Sequence, residues 1–352
     1  MVLPTLLLTG IFLLPVAGAQ SEKTAPAAAA QHITLDVTVN TKSGDAVDGL
    51  TAADFKVLDN KAVQPITSFR ALTGAQAQTE VILVLDDVNL PYTRLAYARQ
   101  QMGQMLSAHD GKLPYPTTLA ILLDSGMKMQ PVFTTDGNAL RSSLDRTLIG
   151  LRTDTRSTGF YGAVERFQVS LSGLERLVDH ESTRPGRKLI VWISPGWPIL
   201  SGPEVQLSSQ QMQNFFGDVV ELSTKMREAQ ITVDAVNPIG TTEDLSRLDY
   251  YENFLNGVRS PGQVDIGDLS LQVLSVQSGG MVLNGSNDIA GLVERCFKQR
   301  ETLYELSFTP AAGEHADEYH QIRVDVARPG VTVHSRTGYY AGPTYAAAGG
   351  PK

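Results

Sequence analysis

The stretch EVILVLDDVN at residues 80–89 constrains the fold more than any other part of the sequence. Its aliphatic residues follow one another without a polar face, and the run then stops on Asp86, Asp87 and Asn89. Such a run is typical of a central strand in a parallel sheet that helices cover on both faces. Polar residues at the carboxyl end of such a strand lie where open α/β sheets bind ligands. The stretch therefore predicts an α/β fold with a candidate site at the strand end.

Strand and helix patterns alternate between residues 78 and 301. Mainly apolar runs at 188–193 and 231–236 predict two more buried strands, and helical spacing of apolar residues predicts long helices at 160–178 and 210–229. This alternation is typical of a doubly wound, mainly parallel sheet. We therefore expect one α/β domain over residues 78–301.

The segments on either side of this domain are rich in short strands. Residues 31–72 and residues 302–341 both alternate apolar and polar side chains, but neither has enough strands to bury its own apolar face. We expect the two segments to pair in a β-sandwich-like unit into which the α/β domain is inserted. The alternative is two independent β appendages.

The N-terminal residues 1–19 have an apolar core followed by Ala17-Gly18-Ala19, the pattern of a signal peptide cleaved before Gln20. The alternative is an uncleaved membrane anchor. Residues 20–30 and 342–352 have the composition of a disordered linker and tail. With the signal peptide removed, no integral membrane span is expected, and the predicted location is the periplasm or the exterior of a bacterium. The single cysteine, Cys296, excludes an internal disulfide.

Composition and motifs argue against two broad classes of function. The net charge of −8, without a basic cluster, argues against nucleic-acid binding. The sequence has no Gly-x-Ser-x-Gly elbow and no glycine-rich phosphate loop, so it predicts no enzyme. A hydrolase that uses Asp86 and Asp87 as paired acids is the weaker alternative, because adjacent residues of an extended strand point in opposite directions.

The motifs and their order resemble those of a von Willebrand factor A (vWA)-related family of exported proteins that is abundant in Acidobacteria. The resemblance covers nearly the whole chain, and its pieces include Asp54-Phe55-Lys56-Val57, Leu85-Asp86-Asp87-Val88-Asn89, Phe133-Thr134-Thr135-Asp136, Arg328-Pro329-Gly330-Val331 and Gly338-Tyr339-Tyr340. It implies a vWA-like fold and an exported setting, and it implies little about mechanism.

The same resemblance brings in a metal site, in which an Asp-x-Ser-x-Ser motif, a Thr and a second Asp hold a divalent cation. Asp86 matches the first Asp, but Val88 and Leu90 stand at the two Ser positions. Thr158 matches the Thr, and Pro195 replaces the second Asp. Mg²⁺ demands near-ideal octahedral oxygen ligands, so we expect a degenerate site and no metal cofactor.

Two alternatives remain for the polar residues of this site. Asp86, Asn89 and Thr158 are the candidate ligands if Mg²⁺ or Mn²⁺ binds in a rearranged geometry and adhesion is cation-dependent. Otherwise, Asp86 and Asn89 cap the turn after the strand and satisfy backbone donors.

The loops at the carboxyl ends of the strands are the predicted docking surface for a protein partner. The loops that contain residues 194–203 and 238–268 are longer than chain reversal requires and carry aromatic residues of the kind that anchor interfaces. The alternative is that these aromatics form a lid over the sheet. The predicted partner-binding residues are Asp86, Asp87, Asn89, Thr158, Ser194, Trp197, Tyr250, Tyr251 and Phe254.

Overall fold

The computed structural model describes residues 32–147, 159–198, 200, 206–239, 249–311 and 313–342. The predicted signal peptide, the predicted linker and Thr158 lie outside these residues. In chain order the strands are β1 (Ile33–Thr41), β2 (Phe55–Asp59), β3 (Ala62–Gln64), β4 (Ser68–Thr73), β5 (Thr79–Asp86), β6 (Lys112–Leu123), β7 (Gly126–Met129), β8 (Thr134–Asp136), β9 (Arg187–Ile193), β10 (Ile231–Val236), β11 (Val282–Leu283), β12 (Thr302–Phe308), β13 (Glu318–Val326), β14 (Val331–His334) and β15 (Gly338–Ala341). The α-helices are α1 (Tyr92–Ser107), α2 (Gly137–Arg146), α3 (Gly159–Ser182), α4 (Ser209–Glu228), α5 (Leu271–Gln277) and α6 (Ile289–Lys298).

The central sheet has the strand order β11-β10-β9-β5-β6-β7, and β8 also pairs with β6. The five strands from β11 to β6 run parallel, and β7 and β8 join β6 antiparallel. This confirms the doubly wound, mainly parallel sheet expected from the sequence.

Residues of β5 alternate between two separate cores. Val81, Leu83 and Leu85 lie in the core covered by α1, α2 and α6, whereas Ile82 and Val84 lie in the core covered by α3, α4 and α5. All five are fully buried. The continuous apolar run is therefore explained by helices on both faces of the strand.

Several helices begin at polar residues that the sequence marks as N-caps. The side chain of Asp136 accepts a hydrogen bond from the backbone of Ala139 at the start of α2, and Asp288 accepts one from Gly291 at the start of α6. Ser208 forms a capping box with Gln211 at the start of α4. Each cap satisfies a backbone donor that the first helical turn leaves open. No helix in the described part of the chain is long and apolar enough to cross a bilayer.

The N-terminal and C-terminal segments form one β unit of two sheets. One sheet has the order β14-β1-β12-β4 and the other the order β15-β13-β2-β3, so both combine strands from the two ends of the chain. Their facing side chains share a single core that includes Phe55, Val57, Tyr304 and Tyr339. The expected pairing is confirmed, and the alternative of two separate appendages is wrong. Strands β3 and β15 were not predicted.

The β unit contacts the amino ends of the parallel strands. Arg187, the first residue of β9, donates to Asp36 of β1 at 2.9 Å and also contacts Glu305 of β12. Arg336 donates to the backbone carbonyl of Ile231, the first residue of β10, at 3.1 Å. The carboxyl ends of the strands therefore lie at the opposite edge of the sheet, away from these contacts.

Candidate functional site

The carboxyl ends of β5 and β9 lie side by side at the point where the strand order reverses. Leu85 of β5 pairs with Ile193 of β9. The chain leaves β5 through α1 toward one face and leaves β9 toward α4 on the other face. Open α/β sheets bind ligands at such a switch point. We call this region the carboxyl edge.

Asp86 lies at the centre of the carboxyl edge, and its carboxylate is surrounded by hydrogen-bond donors. Oδ1 accepts from the backbone N–H groups of Val88 at 3.0 Å and Asn89 at 2.9 Å. Oδ2 accepts from Asn89 Nδ2 at 2.9 Å and from the indole Nε1 of Trp192 at 3.1 Å. The same Asn89 amide nitrogen donates to Ser170 Oγ at 2.8 Å, which ties the turn to α3. We call these side chains the Asp86 cluster.

The electrostatics of Asp86 reflect both its burial and its donors. Burial raises the pKa of Asp86, and hydrogen bonds from Asn89, Trp192 and Ser194 partly offset this rise. Two carboxylate oxygens offer about four lone-pair sites, and four donors already point at them. The residues present therefore do not fit the metal that the vWA resemblance implies. Among the described residues, no three His, Cys, Asp or Glu side chains are placed to hold a metal ion.

The two residues that replace the motif serines are part of the hydrophobic cores. Val88 packs in the core beneath α3 and α4, and Leu90 packs in the core beneath α1 and α2. Both side chains are almost completely buried. The turn after β5 is therefore held by apolar packing on both sides, where a metal site would need hydroxyl oxygens.

Asp87 follows Asp86 directly at the end of β5. Its backbone N–H donates to Leu122 O at 3.0 Å, which continues the pairing of β5 with β6. Its side chain is buried. Asp86 and Asp87 are therefore both buried at the carboxyl edge.

The turn after β9 is shaped around Ser194 and Gly196. Ser194 Oγ accepts from Gly196 N at 3.2 Å. Gly196 adopts φ +106°, and a Cβ at this position would overlap the side chain of Gln272 at the start of α5. The positive φ favours glycine, whereas the flexible end of the Gln272 side chain could move away from a Cβ.

Trp197 lies beneath the carboxyl edge. Its side chain is only 3% exposed and packs edge-on against Trp192, with ring centroids 5.3 Å apart. Of the two interpretations from the sequence, the structure favours the lid, because a side chain this buried offers no surface to a partner. Ser194 is also buried.

The segment at residues 249–269 carries three of the predicted partner-binding residues. The ring of Tyr250 packs edge-on against Phe254 at 5.5 Å, and Tyr250 remains 38% exposed. Tyr251 and Phe254 are half-buried. Tyr250 and Phe254 thus form an aromatic pair, and Tyr250 is the more accessible of the two.

The same segment does not stay at the carboxyl edge, as the sequence predicted for residues 238–268. Tyr340 of β15 donates to Val258 O at 3.0 Å, and Arg259 lies over the ring of Tyr319 of β13 at 5.8 Å from the ring centroid. No sequence pattern predicts this contact, because it joins a loop to strands more than fifty residues away. The middle of the segment is therefore a structural link to the β unit.

Two exposed tyrosines at the carboxyl edge were not among the predicted site residues. Tyr92 begins α1 and is 65% exposed, and Tyr161 lies in the first turn of α3 and is 78% exposed. Both fall outside the apolar stripes of their helices, so helical periodicity alone predicts their exposure.

Helix α3 extends beyond the sheet at this edge. Ser170 contacts Asn89 beside Asp86, and Arg184, just after the helix, bridges to Glu80 near the start of β5 at 2.8 Å. The helix therefore runs antiparallel to β5, and residues 159–169 project past the strand end by about 16 Å at the usual helical rise. Tyr161 lies on this projecting part.

Comparisons with known proteins give structural likeness only. No protein-family model and no curated protein sequence matches the chain. Similar solved structures include proximal thread matrix protein 1 of the mussel byssus, with 11% identity over 64% of this chain and 48% of that chain and a TM-score of 0.35. Manganese-loaded Plasmodium vivax TRAP protein has 11% identity over 76% of this chain and 96% of that chain, with a TM-score of 0.34. The SpRpn10 VWA domain has 12% identity over 62% of this chain and 95% of that chain, with a TM-score of 0.28. The chain spans about half the length of the mussel protein. Because these scores are low, the fold rests on the strand order and helix placement described above.

Proposed function

We propose that this chain is an exported, non-enzymatic interaction module of the vWA type, which binds a protein partner through its carboxyl edge without a metal ion. The Asp86 cluster is the observation that supports binding without a metal ion. The turn residues and Trp192 direct hydrogen-bond donors at both oxygens of Asp86, so groups of the protein occupy the positions at which a cation would bind.

The burial of the acidic residues supports a non-enzymatic role. A hydrolase that used Asp86 and Asp87 would need both carboxylates within hydrogen-bond reach of a substrate. Both side chains are buried, and the oxygens of Asp86 already accept hydrogen bonds from protein donors. This arrangement is typical of a structural carboxylate.

The exposed tyrosines support a protein partner. Tyr92 at the start of α1 and Tyr161 in the first turn of α3 present aromatic rings at the carboxyl edge, and Tyr250 exposes a third ring in the segment at 249–269. Tyrosine is enriched at binding hot spots because it combines a large apolar ring with a hydroxyl group. These three residues replace Trp197 as the anchors that we expect to contact the partner.

A capture experiment on the full mature chain tests the proposal. The immobilised protein is incubated with bacterial envelope extract, with and without EDTA, and the retained protein is identified and then purified for a binding assay. We expect Tyr92→Ala combined with Tyr161→Ala to weaken binding at least about tenfold, as for paired hot-spot residues. Val63→Ala is the matched control, because Val63 is an exposed apolar residue on β3 of the β unit.

The outcomes separate the possible functions. Binding that survives EDTA and depends on the two tyrosines supports the proposal. Binding that EDTA abolishes supports the cation-dependent alternative at Asp86, Asn89 and Thr158. If Val63→Ala weakens binding and the tyrosine variant does not, the docking surface lies on the β unit.

A further inference from the structure

A cavity of about 450 Å³ lies between the β unit and the amino ends of the parallel strands. It is far from the carboxyl edge in the fold, because it opens at the opposite ends of β9 and β10. Its charged and polar walls come from β1, β4 and β12 on one side and from the end of α4 and the start of β10 on the other. The charged residues in these walls are Asp36, Arg70, Arg227, Glu228, Glu305 and Arg336.

The acidic residues on the β-unit side of this cavity already have basic partners. Arg70 Nε donates to Glu305 Oε1 at 2.8 Å, and Arg187 contacts both Glu305 and Asp36, the latter at 2.9 Å. These two arginines and two carboxylates form a continuous chain of alternating charge. The chain is neutral in total, so it provides no spare carboxylate for another arginine.

Arg336 is the buried cation that this chain does not neutralise. Its side chain is 9% exposed, and its hydrogen bond within the described residues goes to the neutral carbonyl of Ile231. No carboxylate of the described residues lies within 4.0 Å of it. Burial and the charge of Arg227 lower the pKa of Arg336 to about 9, whereas Asp36 and Tyr319 act in the opposite direction. A buried charge without a carboxylate in direct contact is costly, so this site favours an anion.

Arg227 adds a second guanidinium on the α4 side of the cavity. Its Nε is buried and has no hydrogen-bond acceptor in the described part of the chain. Its Nη2 bridges to Glu228 at 3.0 Å, but that carboxylate is exposed and the pair is therefore weak. Two guanidinium groups thus line one cavity, and no buried carboxylate among the described residues accepts hydrogen bonds from them.

We propose that this cavity binds a small oxyanion, either a phosphate group or a carboxylate group, between Arg336 and Arg227. Guanidinium groups pair with both kinds of anion through parallel N–H donors. The cavity also has room for more than an inorganic ion, so the anion is the recognised group of a small molecule. The site would connect ligand binding to the contact between the β unit and the α/β domain, because Arg336 also bonds to Ile231.

The test uses the full mature chain and two probes, inorganic phosphate and citrate, with the ionic strength held constant by NaCl. A ligand that binds only the folded state raises the Tm. We expect one or both probes to raise the Tm of the wild-type protein, and a response to only one probe identifies phosphate or carboxylate as the recognised group. In calorimetry, Arg336→Met is expected to weaken binding roughly ten- to a hundredfold, as for the loss of a charged hydrogen-bond partner.

Arg323→Met is the matched control, because Arg323 is an exposed arginine of β13 in the same β unit. It should keep the wild-type response. Arg227→Met provides a second variant should Arg336→Met fail to fold, and it should also weaken binding. The proposal is overturned if neither probe binds the wild-type protein, or if the variants at Arg336 and Arg227 bind as tightly as Arg323→Met.

Discussion

Asp86 is held in place by donors from separate parts of the chain. The turn residues Val88 and Asn89 follow it directly, whereas Trp192 comes from β9 and Ser170 anchors Asn89 from α3. The sequence predicts the first pair, because an Asp at a strand end commonly caps the next turn. It does not predict Trp192 as a donor, because that contact depends on the register of two strands more than one hundred residues apart.

Trp192→Phe tests how much the indole donor contributes to the Asp86 cluster. The substitution keeps an aromatic ring but removes the 3.1 Å hydrogen bond to the buried carboxylate. We expect a loss of about 1–3 kcal/mol in the free energy of unfolding, measured by chemical denaturation. Trp197→Phe is the control, because Trp197 Nε1 has no acceptor among the described residues. Equal losses for the two variants would show that ring size alone matters.

Asp268 makes the stability depend on pH. Its pKa is raised from 3.8 to about 6, mainly by burial and also by the charge of Asp265. A hydrogen bond from the backbone of Asp265 opposes this rise. Between these two pH values the folded state holds a proton that the unfolded state has lost. The contribution to stability is therefore fully present below pH 3.8 and is lost as the pH rises through 6.

Asp268→Asn is expected to remove this pH dependence. The amide keeps an oxygen for the backbone N–H of Asp265, which bonds Asp268 at 2.7 Å, but carries no charge. At pH 7.5 the variant should be more stable by up to roughly 3 kcal/mol, from a pKa shift of about two units. At pH 4 the gain should nearly vanish. Unfolding curves at both pH values measure this gain in stability. Asp249→Asn, at an exposed position, is the control. An equal gain at both pH values would contradict this explanation.

Among the secondary-structure elements, the parallel strands were the easiest to predict and the short edge strands the hardest. Strands β5 and β9 contain continuous apolar runs at 81–85 and 189–193, and β10 is apolar except for Thr232 and Asp234. Burial on both faces explains such runs. Strands β3 and β15 have only a few residues each, and β15 begins at Gly338, so neither has a clear period. Residue type also failed to distinguish a lid from a docking surface, since Trp197 and Tyr250 are both aromatic residues in predicted loops.

The segment at 249–269 depends on one glycine for its contact with the β unit. Gly257 adopts φ +71°, and a Cβ there would overlap the ring of Tyr319. Gly257→Ala should therefore destabilise the protein by about 1–3 kcal/mol and expose the segment to proteolysis. Gly262→Ala is the control in the same segment, because nothing lies within 4 Å of a Cβ at that position. Limited proteolysis that cuts both variants at the same rate would contradict the proposed link.

At the scale of the whole molecule, the α/β domain and the β unit share several buried contacts. Phe216 of α4 packs edge-on against Tyr340 at 6.1 Å, and Arg187 pairs with Asp36 and Glu305. A fragment of residues 78–301 loses these partners but keeps both cores of the parallel sheet. We expect it to unfold cooperatively with a lower Tm than the full chain. A fragment without a cooperative transition would show that the β unit is required for folding.

The central claim is that hydrogen-bond donors stabilise Asp86 at the carboxyl edge in place of a metal ion. The most direct measurement is thermal unfolding of the mature protein in millimolar Mg²⁺ or Mn²⁺ and in EDTA, at constant ionic strength. A cation that binds only the folded state would raise the Tm. We predict that the unfolding curves coincide. An upward shift of the Tm in either cation that is lost in Asp86→Asn would contradict the account and support cation-dependent binding at this edge.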